Sequence, residues 1–311
     1  MAIKTGPLED MGIMKTILLL GANGFIGKNL NEHLKIFPEK YEVDSPPSDQ
    51  FDASSEEIVK KWLENKYYDV VIHSAVYNPR VGEKKDASSE LDKNLRMYFN
   101  FERYQDLFGK MLYFGSGAEY DKRGDIKSVK EGDSGNGIPH NDYGLYKYII
   151  NKSISSSQNI INLRVFGLFG KYENWKNTFI SGACCKAIKN LPITIRQDVY
   201  FDYLYINDFC KIVKWFIDND AKFKDYNVTS GERITLKSIA SMVIEIKGKD
   251  IPVYVAKGGV AKEYAADNSQ LLSEIGRFQY NEMKDSIRDL YEYYQDVQDE
   301  IDIYSLLYLN G

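Results

Sequence analysis

Short continuous apolar runs and longer runs with a helical repeat alternate along most of this chain. The first apolar run, Ile17 to Leu20, has the length of a buried parallel strand, and helical spacing follows at Leu30 and Leu34. The pattern then predicts a short strand over 41–44, helices over 55–65, 91–108 and from about 143, and strands over 69–76, 111–115 and 160–165. We therefore predict an α/β fold built on a doubly wound parallel sheet, with ligands at the C-terminal ends of its strands.

Three glycines at three-residue spacing join the first predicted strand to the first predicted helix. Such a turn lets the backbone approach a pyrophosphate, whose charge then lies at the positive N-terminus of the helix. The alternative is a plain tight turn. The segment indicates a dinucleotide-binding Rossmann domain, with a cofactor turn formed by Gly21, Asn23, Gly24, Phe25, Ile26 and Gly27.

The acidic residue that ends the second strand bears on the choice of cofactor. Asp44 lies where a carboxylate can accept hydrogen bonds from the adenosine ribose and repel a 2′-phosphate, and no arginine lies nearby to bind one. We predict NAD(P)(H), with a leaning towards NAD(H). The alternative is that Asp44 caps its own turn while Ser45 and Ser48 cradle a phosphate. Asp52, Ser74 and Ala75 complete the predicted cofactor site.

The regular alternation ends after Gly170. Short apolar segments at 193–195 and 203–206 mix with helical ones, and no internal repeat is visible. We predict a dinucleotide-binding Rossmann domain over residues 14–170 and a smaller, mixed α/β substrate lobe over residues 171–311. Parts of the second unit, such as residues 203–218, are candidates for a return to the main sheet.

Composition limits the classes of partner and compartment. The chain of 311 residues is long enough for a sizeable core, and its net charge of −5 gives no electrostatic case for nucleic acid or an anionic membrane. Its three cysteines form no disulfide framework, which favours a cytoplasmic protein, and we predict no metal site. No apolar run reaches membrane-spanning length. Residues 1–13 lack the apolar core of a secretory signal, and we expect a tag or loose arm before a natural start at Met14.

A tyrosine and a lysine four residues apart lie on the helix predicted from residue 143. The spacing of Tyr143 and Lys147 puts both side chains on one helix face. A phenol has a pKa of about 10, and a neighbouring ammonium lowers it by stabilising the phenolate. Such a pair can exchange a proton with a sugar hydroxyl or carbonyl near neutral pH. The alternative is a solvated helix face, because the chain is rich in tyrosine and lysine.

A serine follows the predicted strand 111–115. The hydroxyl of Ser116 can hydrogen-bond a substrate oxygen that faces the phenol, or it can simply cap a turn. The glycine turn, the strand-end serine and the Tyr-x-x-x-Lys pair occur in this order and reinforce one another. Together they favour an enzyme.

Several motifs resemble those of the extended short-chain dehydrogenase/reductase family, the NAD-dependent epimerases and dehydratases that mostly modify nucleotide-linked sugars. The resemblance rests on the glycine turn with Phe25-Ile26, and on the segments Asp69 to Ala75, Ile161 to Gly170, Phe201 to Asp208 and Asn227 to Glu232. It assigns Ser116, Tyr143 and Lys147 to catalysis, with Lys147 also bonding the nicotinamide ribose. It also implies a homodimer in which the helix of Tyr143 and the helix 91–108 pair with their counterparts.

The chain departs from the family pattern at the predicted substrate site. Phe201 stands where an arginine often contacts the sugar nucleotide, Gly167 replaces a common asparagine, and Thr178-Phe179-Ile180-Ser181 replaces Asn-Phe-Ile-Pro. We therefore name Arg80, Ser116, Thr178 and Arg196 as candidate substrate-binding residues. For both arginines a solvated surface charge is the alternative.

Three reactions fit these residues. A 4,6-dehydratase of this family carries an Asp-Glu pair after the strand-end hydroxyl residue, where this chain has Gly117 and Ala118, so dehydration is disfavoured. We favour an NAD(P)H-dependent 4-ketoreductase acting on a nucleotide-linked deoxysugar, with Tyr143 as general acid/base. A nucleotide-sugar C4 epimerase with tightly bound NAD is the close alternative. A non-catalytic dinucleotide-binding protein is the third, although such proteins typically lose the tyrosine or the lysine.

Overall fold

A six-stranded parallel sheet forms the centre of the protein. The computed structural model describes residues 14–79 and 86–307, and Arg80 and residues 1–13 lie outside them. The first half of the chain forms β1 (Lys15–Leu20), α1 (Phe25–Leu34), β2 (Tyr41–Asp44), α2 (Glu56–Asn65), β3 (Tyr68–His73), α3 (Glu90–Glu102), β4 (Phe108–Ser116), β5 (Ile126–Val129), α4 (Asp142–Ile154), β6 (Ile160–Val165) and β7 (Gly167–Phe169). The second half forms α5 (Phe179–Ile188), β8 (Ile193–Asp198), β9 (Tyr200–Tyr205), α6 (Ile206–Asp218), β10 (Asp225–Val228), β11 (Arg233–Thr235), α7 (Leu236–Lys247), β12 (Val253–Val260), β13 (Tyr264–Ala266), α8 (Ser269–Ile275), α9 (Met283–Asp296) and α10 (Ile303–Leu307).

The main sheet has the strand order β10-β6-β4-β3-β1-β2, with every neighbouring pair parallel. Most residues of its four central strands are buried, because helices cover both faces. In β1, Ile17 and Leu19 join the core on one face, while Leu18 and Leu20 join the core on the other. The predicted doubly wound α/β fold is confirmed.

One predicted helix ends earlier than expected. We predicted a helix over 91–108, whereas α3 ends at Glu102 and a 3-10 turn follows over Gln105–Leu107. Phe108 instead begins β4, where it pairs with Tyr68 and is buried. Gly109 allows this early start, because a Cβ there would lie 2.5 Å from the carbonyl oxygen of Asp69 on the neighbouring strand.

The second half of the chain returns to the main sheet through β10, which pairs in parallel with β6. The segment 203–218 contributes differently, because β9 belongs to a smaller sheet and α6 packs on α1 beside the main sheet. The smaller sheet has the order β11-β9-β13-β5, with β7 also paired to β9, so it includes β5 from the first half. Each of these two sheets therefore contains strands from both sides of residue 170. The division into residues 14–170 and 171–311 stays a prediction.

Candidate active site

The turn between β1 and α1 is built by close backbone contacts. Gly21 has a φ of +75°, a conformation that L side chains rarely adopt, and a Cβ there would lie 2.8 Å from the backbone nitrogen of Ala75. A Cβ at Gly27 would collide with the carbonyl of Gly21. Gly24 differs from both, because a Cβ there would meet only the Gly21 carbonyl, at 3.3 Å. The first and third glycines therefore shape the turn, and the second leaves an open face.

This open face lies at the N-terminus of a helix. Gly24 is the N-cap of α1 and has no side chain with which to cap the helix. The N–H groups of the first turn and the positive end of the helix dipole are suited to bind a phosphate. Phe25 and Ile26 follow and line a cavity of about 380 Å³, while Asn23 is exposed at the turn. The turn thus fits a dinucleotide pyrophosphate.

The other predicted cofactor residues differ in their surroundings. Ser74 lines the same cavity, and its hydroxyl donates a 2.5 Å hydrogen bond to the carbonyl of Leu20. Asp44 accepts hydrogen bonds on Oδ2 from Lys66 at 2.9 Å and from Tyr68 at 2.7 Å. Burial opposes ionisation of Asp44, but these two donors hold its pKa below the ordinary value. Asp52 accepts from the backbone and hydroxyl of Ser54 and so stabilises its own turn.

Ser116 ends β4 at the C-terminal edge of the main sheet. Its backbone N–H donates to Glu119 Oε1 at 3.1 Å, and its Oγ accepts from the backbone N–H of Ala118 at 3.2 Å. These two bonds form a capping box over the short helix Gly117–Glu119. Ser116 therefore does cap a turn, and its nearly buried hydroxyl lines the cavity as well.

Tyr143 and Lys147 lie in the first turns of α4 and line the same cavity as Ser116. Asn141 starts this helix by accepting from the N–H of Gly144 at 2.7 Å. A Cβ at Gly144 would lie 2.7 Å from the carbonyl of Ala118, so this glycine lets the helix approach the turn that carries Ser116. The structure thus brings together the three residues predicted to be catalytic.

The environment of Lys147 favours loss of a proton from its ammonium group. Its ammonium donates a 2.5 Å hydrogen bond to the carbonyl of Phe114 and lies 4.5 Å from the centroid of the Tyr113 ring. Burial lowers the pKa of Lys147 to about 7, although the charge of Glu119 opposes this. Burial and the nearby Lys147 also lower the pKa of His73 to about 4, so that imidazole is neutral beside the ammonium.

A second cavity of about 330 Å³ adjoins the first. Thr178 lines both cavities, whereas Arg196 lines only the second and is exposed. Lys176 and Lys186 also line the second cavity, together with the apolar side chains of Phe179 and Leu236. Within residues 14–79 and 86–307, no cluster of His, Cys, Asp and Glu is placed to hold a metal ion. The same residues contain no helix long and apolar enough to cross a membrane.

The profile of the NAD dependent epimerase/dehydratase family matches residues 17–229. The chain belongs to this family. Its predicted resemblance to the extended short-chain dehydrogenases/reductases, its NAD(P) cofactor class and its nature as an enzyme are thereby confirmed.

Named proteins and solved structures resemble the chain over most of its length. GDP-L-colitose synthase of Yersinia pseudotuberculosis is 24% identical over 84% of this chain and 91% of its own. A GDP-L-fucose synthetase from Naegleria fowleri has a TM-score of 0.79 at 17% identity, over 92% of this chain and 94% of that one. The NADP-bound GDP-mannoheptose C4 reductase of Campylobacter jejuni has a TM-score of 0.76 at 18% identity, over 91% and 98%.

The departures of this chain from the family pattern have structural causes. Gly167 begins β7, and a Cβ there would lie 2.7 Å from the carbonyl of Asp202 and 2.9 Å from the Tyr203 ring on β9. An asparagine therefore does not fit at this position. Phe201, in place of the arginine, stacks on Tyr203 with ring centroids 5.3 Å apart. Ser181, in place of the proline, is buried and donates a 2.5 Å hydrogen bond to Glu173.

The sequence analysis missed two groups at this site. Glu119 is fully buried between Ser116 and Arg164, and the guanidinium Nε donates to its Oε2 at 2.7 Å. Tyr264 reaches the same place from β13, where a Cβ at Gly117 would collide with its phenolic oxygen. Glu119 follows Ser116 closely enough for a capping-box signal to have been noticed, whereas no local spacing points to Tyr264.

Proposed function

We propose that the protein is an NAD(P)H-dependent 4-ketoreductase acting on a nucleotide-linked deoxysugar. The observation that carries the proposal is that Ser116, Tyr143 and Lys147 line one cavity between the glycine turn and the second cavity. A cofactor bound at the turn and a substrate bound in the second cavity would meet at these three side chains.

Bound NAD(P)H supplies a hydride to C4 of the sugar. Tyr143 donates a proton to the C4 oxygen, so the ketone becomes an alcohol and Tyr143 is left as a phenolate for reprotonation. The Lys147 ammonium keeps the phenol acidic, and burial makes its charge more effective than in water. Ser116 donates a hydrogen bond to the same oxygen and polarises the carbonyl.

The residues that line the second cavity are suited to bind the nucleoside diphosphate part of the substrate. Lys176, Lys186 and Arg196 supply positive charge for the diphosphate, while Phe179 and Leu236 supply apolar surface for the base. Thr178 lies where the two cavities meet, between the expected positions of diphosphate and sugar. The names of the relatives favour a GDP-linked substrate.

The structure argues against a dehydratase. Gly117 and Ala118 occupy the positions of its acid pair, and a Cβ at Gly117 would lie 2.7 Å from the Phe166 ring. A side chain at 117 would therefore need Phe166 and its neighbours to move. The C4 epimerase shares Ser116, Tyr143 and Lys147 with a reductase, so retained cofactor has to separate the two.

We propose NAD(H) as the preferred cofactor. Both hydrogen bonds that the described residues donate to Asp44 end on Oδ2, which leaves Oδ1 able to accept from a ribose hydroxyl. The Asp44 carboxylate would also repel a 2′-phosphate.

We propose a homodimer through α3 and α4, which pack together in the protomer. Four apolar residues in the predicted helix 91–108 favour this interface: Leu95, Tyr98 and Phe99, which lie on α3, and Phe108, which begins β4. Tyr98 and Phe108 are buried within the protomer. Leu95 and Phe99 are half-buried and remain for a partner.

The deciding experiment uses the purified protein with NADH or NADPH and 4-keto-6-deoxy sugar nucleotides that carry different bases. We expect cofactor oxidation and, by NMR, a product with a hydroxyl at C4. Tightly bound NAD with interconversion of C4 epimers and no net oxidation would establish the epimerase instead. Cofactor binding without turnover of any of these compounds would favour a dinucleotide-binding protein without catalysis.

A further inference from the structure

Glu173, in the loop between β7 and α5, carries a carboxyl group that the proposed reaction does not use. Its side chain is half-buried and lines the same cavity as the three predicted catalytic residues. A few residues further along, Asn177 and Thr178 line both this cavity and the second one. Glu173 therefore belongs to the segment that joins the catalytic cavity to the proposed diphosphate site. The part of the substrate between those two sites is the sugar.

The backbone that leads to Glu173 is held in an unusual conformation. Tyr172 has a φ of +70°, which a bulky L side chain rarely adopts. Its phenol donates a 2.6 Å hydrogen bond to Glu32 on α1, and the Lys28 ammonium of the same helix lies 3.8 Å from the ring centroid. The Tyr294 hydroxyl on α9 donates to the backbone carbonyl of Glu173 at 3.1 Å. Strained backbone fixed by its surroundings is found mainly at functional sites, and here it sets the direction of the Glu173 side chain.

The surroundings of the Glu173 carboxyl group oppose its ionisation. Its Oε2 accepts a 2.5 Å hydrogen bond from Ser181, and no ion pair to Glu173 is formed by the residues that the structure describes. Burial raises the pKa of Glu173 to about 8, although the hydrogen bond from Ser181 opposes this. At neutral pH the group is therefore mostly a neutral acid, which can donate one hydrogen bond as well as accept.

We propose that Glu173 is a specificity-determining residue that hydrogen-bonds the C2 or C3 hydroxyl of the sugar. The C4 oxygen is bound by Ser116 and Tyr143 in the proposed reaction, and a 6-deoxysugar has no hydroxyl at C6, so the hydroxyls at C2 and C3 remain. A sugar hydroxyl is both a donor and an acceptor, which matches a neutral acid. A sugar without that hydroxyl would leave the acid unpaired and would bind more weakly. This role rests on the proposed nucleotide-sugar substrate and extends it.

The test measures the binding of GDP and of a GDP-linked 6-deoxyhexose to the protein saturated with NAD⁺ or NADP⁺, by titration calorimetry. Glu173→Leu removes both carboxyl oxygens at similar size. It is expected to raise the Kd for the sugar nucleotide by about 2- to 12-fold, the worth of one hydrogen bond, and to leave the Kd for GDP unchanged. Glu173→Gln keeps a donor and an acceptor and should bind like the wild type. Glu292→Leu, the same substitution at an exposed position of α9, is the matched control.

GDP-linked sugars that lack the hydroxyl at C2 or at C3 complete the test. For one of them we expect Glu173→Leu to cause no further loss of affinity. An equal loss with every sugar, or with GDP or the cofactor alone, would overturn the proposal, as would a Glu173→Gln variant as weak as Glu173→Leu. Wild-type protein that binds all three sugars equally would also overturn it, whether or not the variants fold. A wild type that shows the expected binding pattern without reducing a 4-keto sugar nucleotide would refute the proposed reductase and retain this role of Glu173.

Discussion

Replacing Tyr143 with phenylalanine removes one oxygen atom from the active-site cavity and leaves the ring in place. The ring lies edge-on to Tyr146 with centroids 5.5 Å apart, and this contact survives in the variant. Tyr143 is only half-buried, so we expect the free energy of unfolding to change by less than about 1 kcal/mol and Tm by no more than a few degrees. Binding of NAD(P)H is also expected to stay close to that of the wild type.

The chemical step is expected to change far more. Without the phenol, the proton must come from water that is poorly placed and more weakly acidic. A positioned general acid contributes about 10²- to 10⁴-fold, which corresponds to about 3 to 5 kcal/mol in the barrier. Single-turnover measurement of cofactor oxidation with a 4-keto sugar nucleotide separates this step from product release.

Tyr148→Phe is the matched control for this experiment. Tyr148 lies on the same helix, and five residues of helical rotation turn it about 140° away from Tyr143. Its ring lies near Lys152 instead of lining the cavity. We expect near-normal turnover from the control. Near-normal turnover of Tyr143→Phe, or an equal loss in Tyr148→Phe, would refute the assignment of the general acid.

The glycine turn, Asp44, Lys147 and the proposed dimer interface each give a further prediction. Gly24→Val should raise the Kd for the cofactor severalfold in a fluorescence titration while unfolding stays cooperative, since the φ of −81° at Gly24 suits any residue; unchanged affinity would make the segment a simple turn. Asp44→Ala should relax the preference for NADH, measured as the ratio of kcat/KM values, and a wild type that strongly prefers NADPH would contradict this. Because burial lowers the pKa of Lys147 to about 7, its ammonium is lost as pH rises through that value, so kcat/KM for reduction should fall above it. Glu119→Gln removes the opposing charge and should move that fall to lower pH in a variant whose Tm is checked first; an unshifted profile would exclude this role of Glu119. Light scattering should give a dimer, and a monomer at micromolar concentration would exclude it.

The parts of the site that depend on local spacing can be predicted from the sequence. Gly21, Gly24 and Gly27 can be predicted because they follow one strand directly, and Tyr143 and Lys147 because one helix face holds both. Tyr264 could not be predicted, since β13 meets the turn of Ser116 only through the pairing of the smaller sheet.

The ends of helices and strands were harder to predict from the sequence. The apolar repeat of α3 continues towards Phe108, but pairing with β3 draws Phe108 into a strand. The local hydrophobic repeat carries no information about pairing with a neighbouring strand. The same holds for Gly167, whose lack of a side chain makes sense only when β9 lies beside it.

The pairing of β10 with β6 has a consequence for how the chain folds during synthesis. Arg164 is fully buried in β6, and two of its hydrogen-bonding partners, Asp225 and Asn227, belong to β10. Until β10 has been synthesised, the guanidinium lacks these partners and the outer edge of β6 is open to pairing with another chain. Folding of the main sheet therefore has to wait for a long loop to close, which slows it. A fragment that ends at residue 170 should aggregate, whereas one that retains residues up to 228 contains every strand of the main sheet.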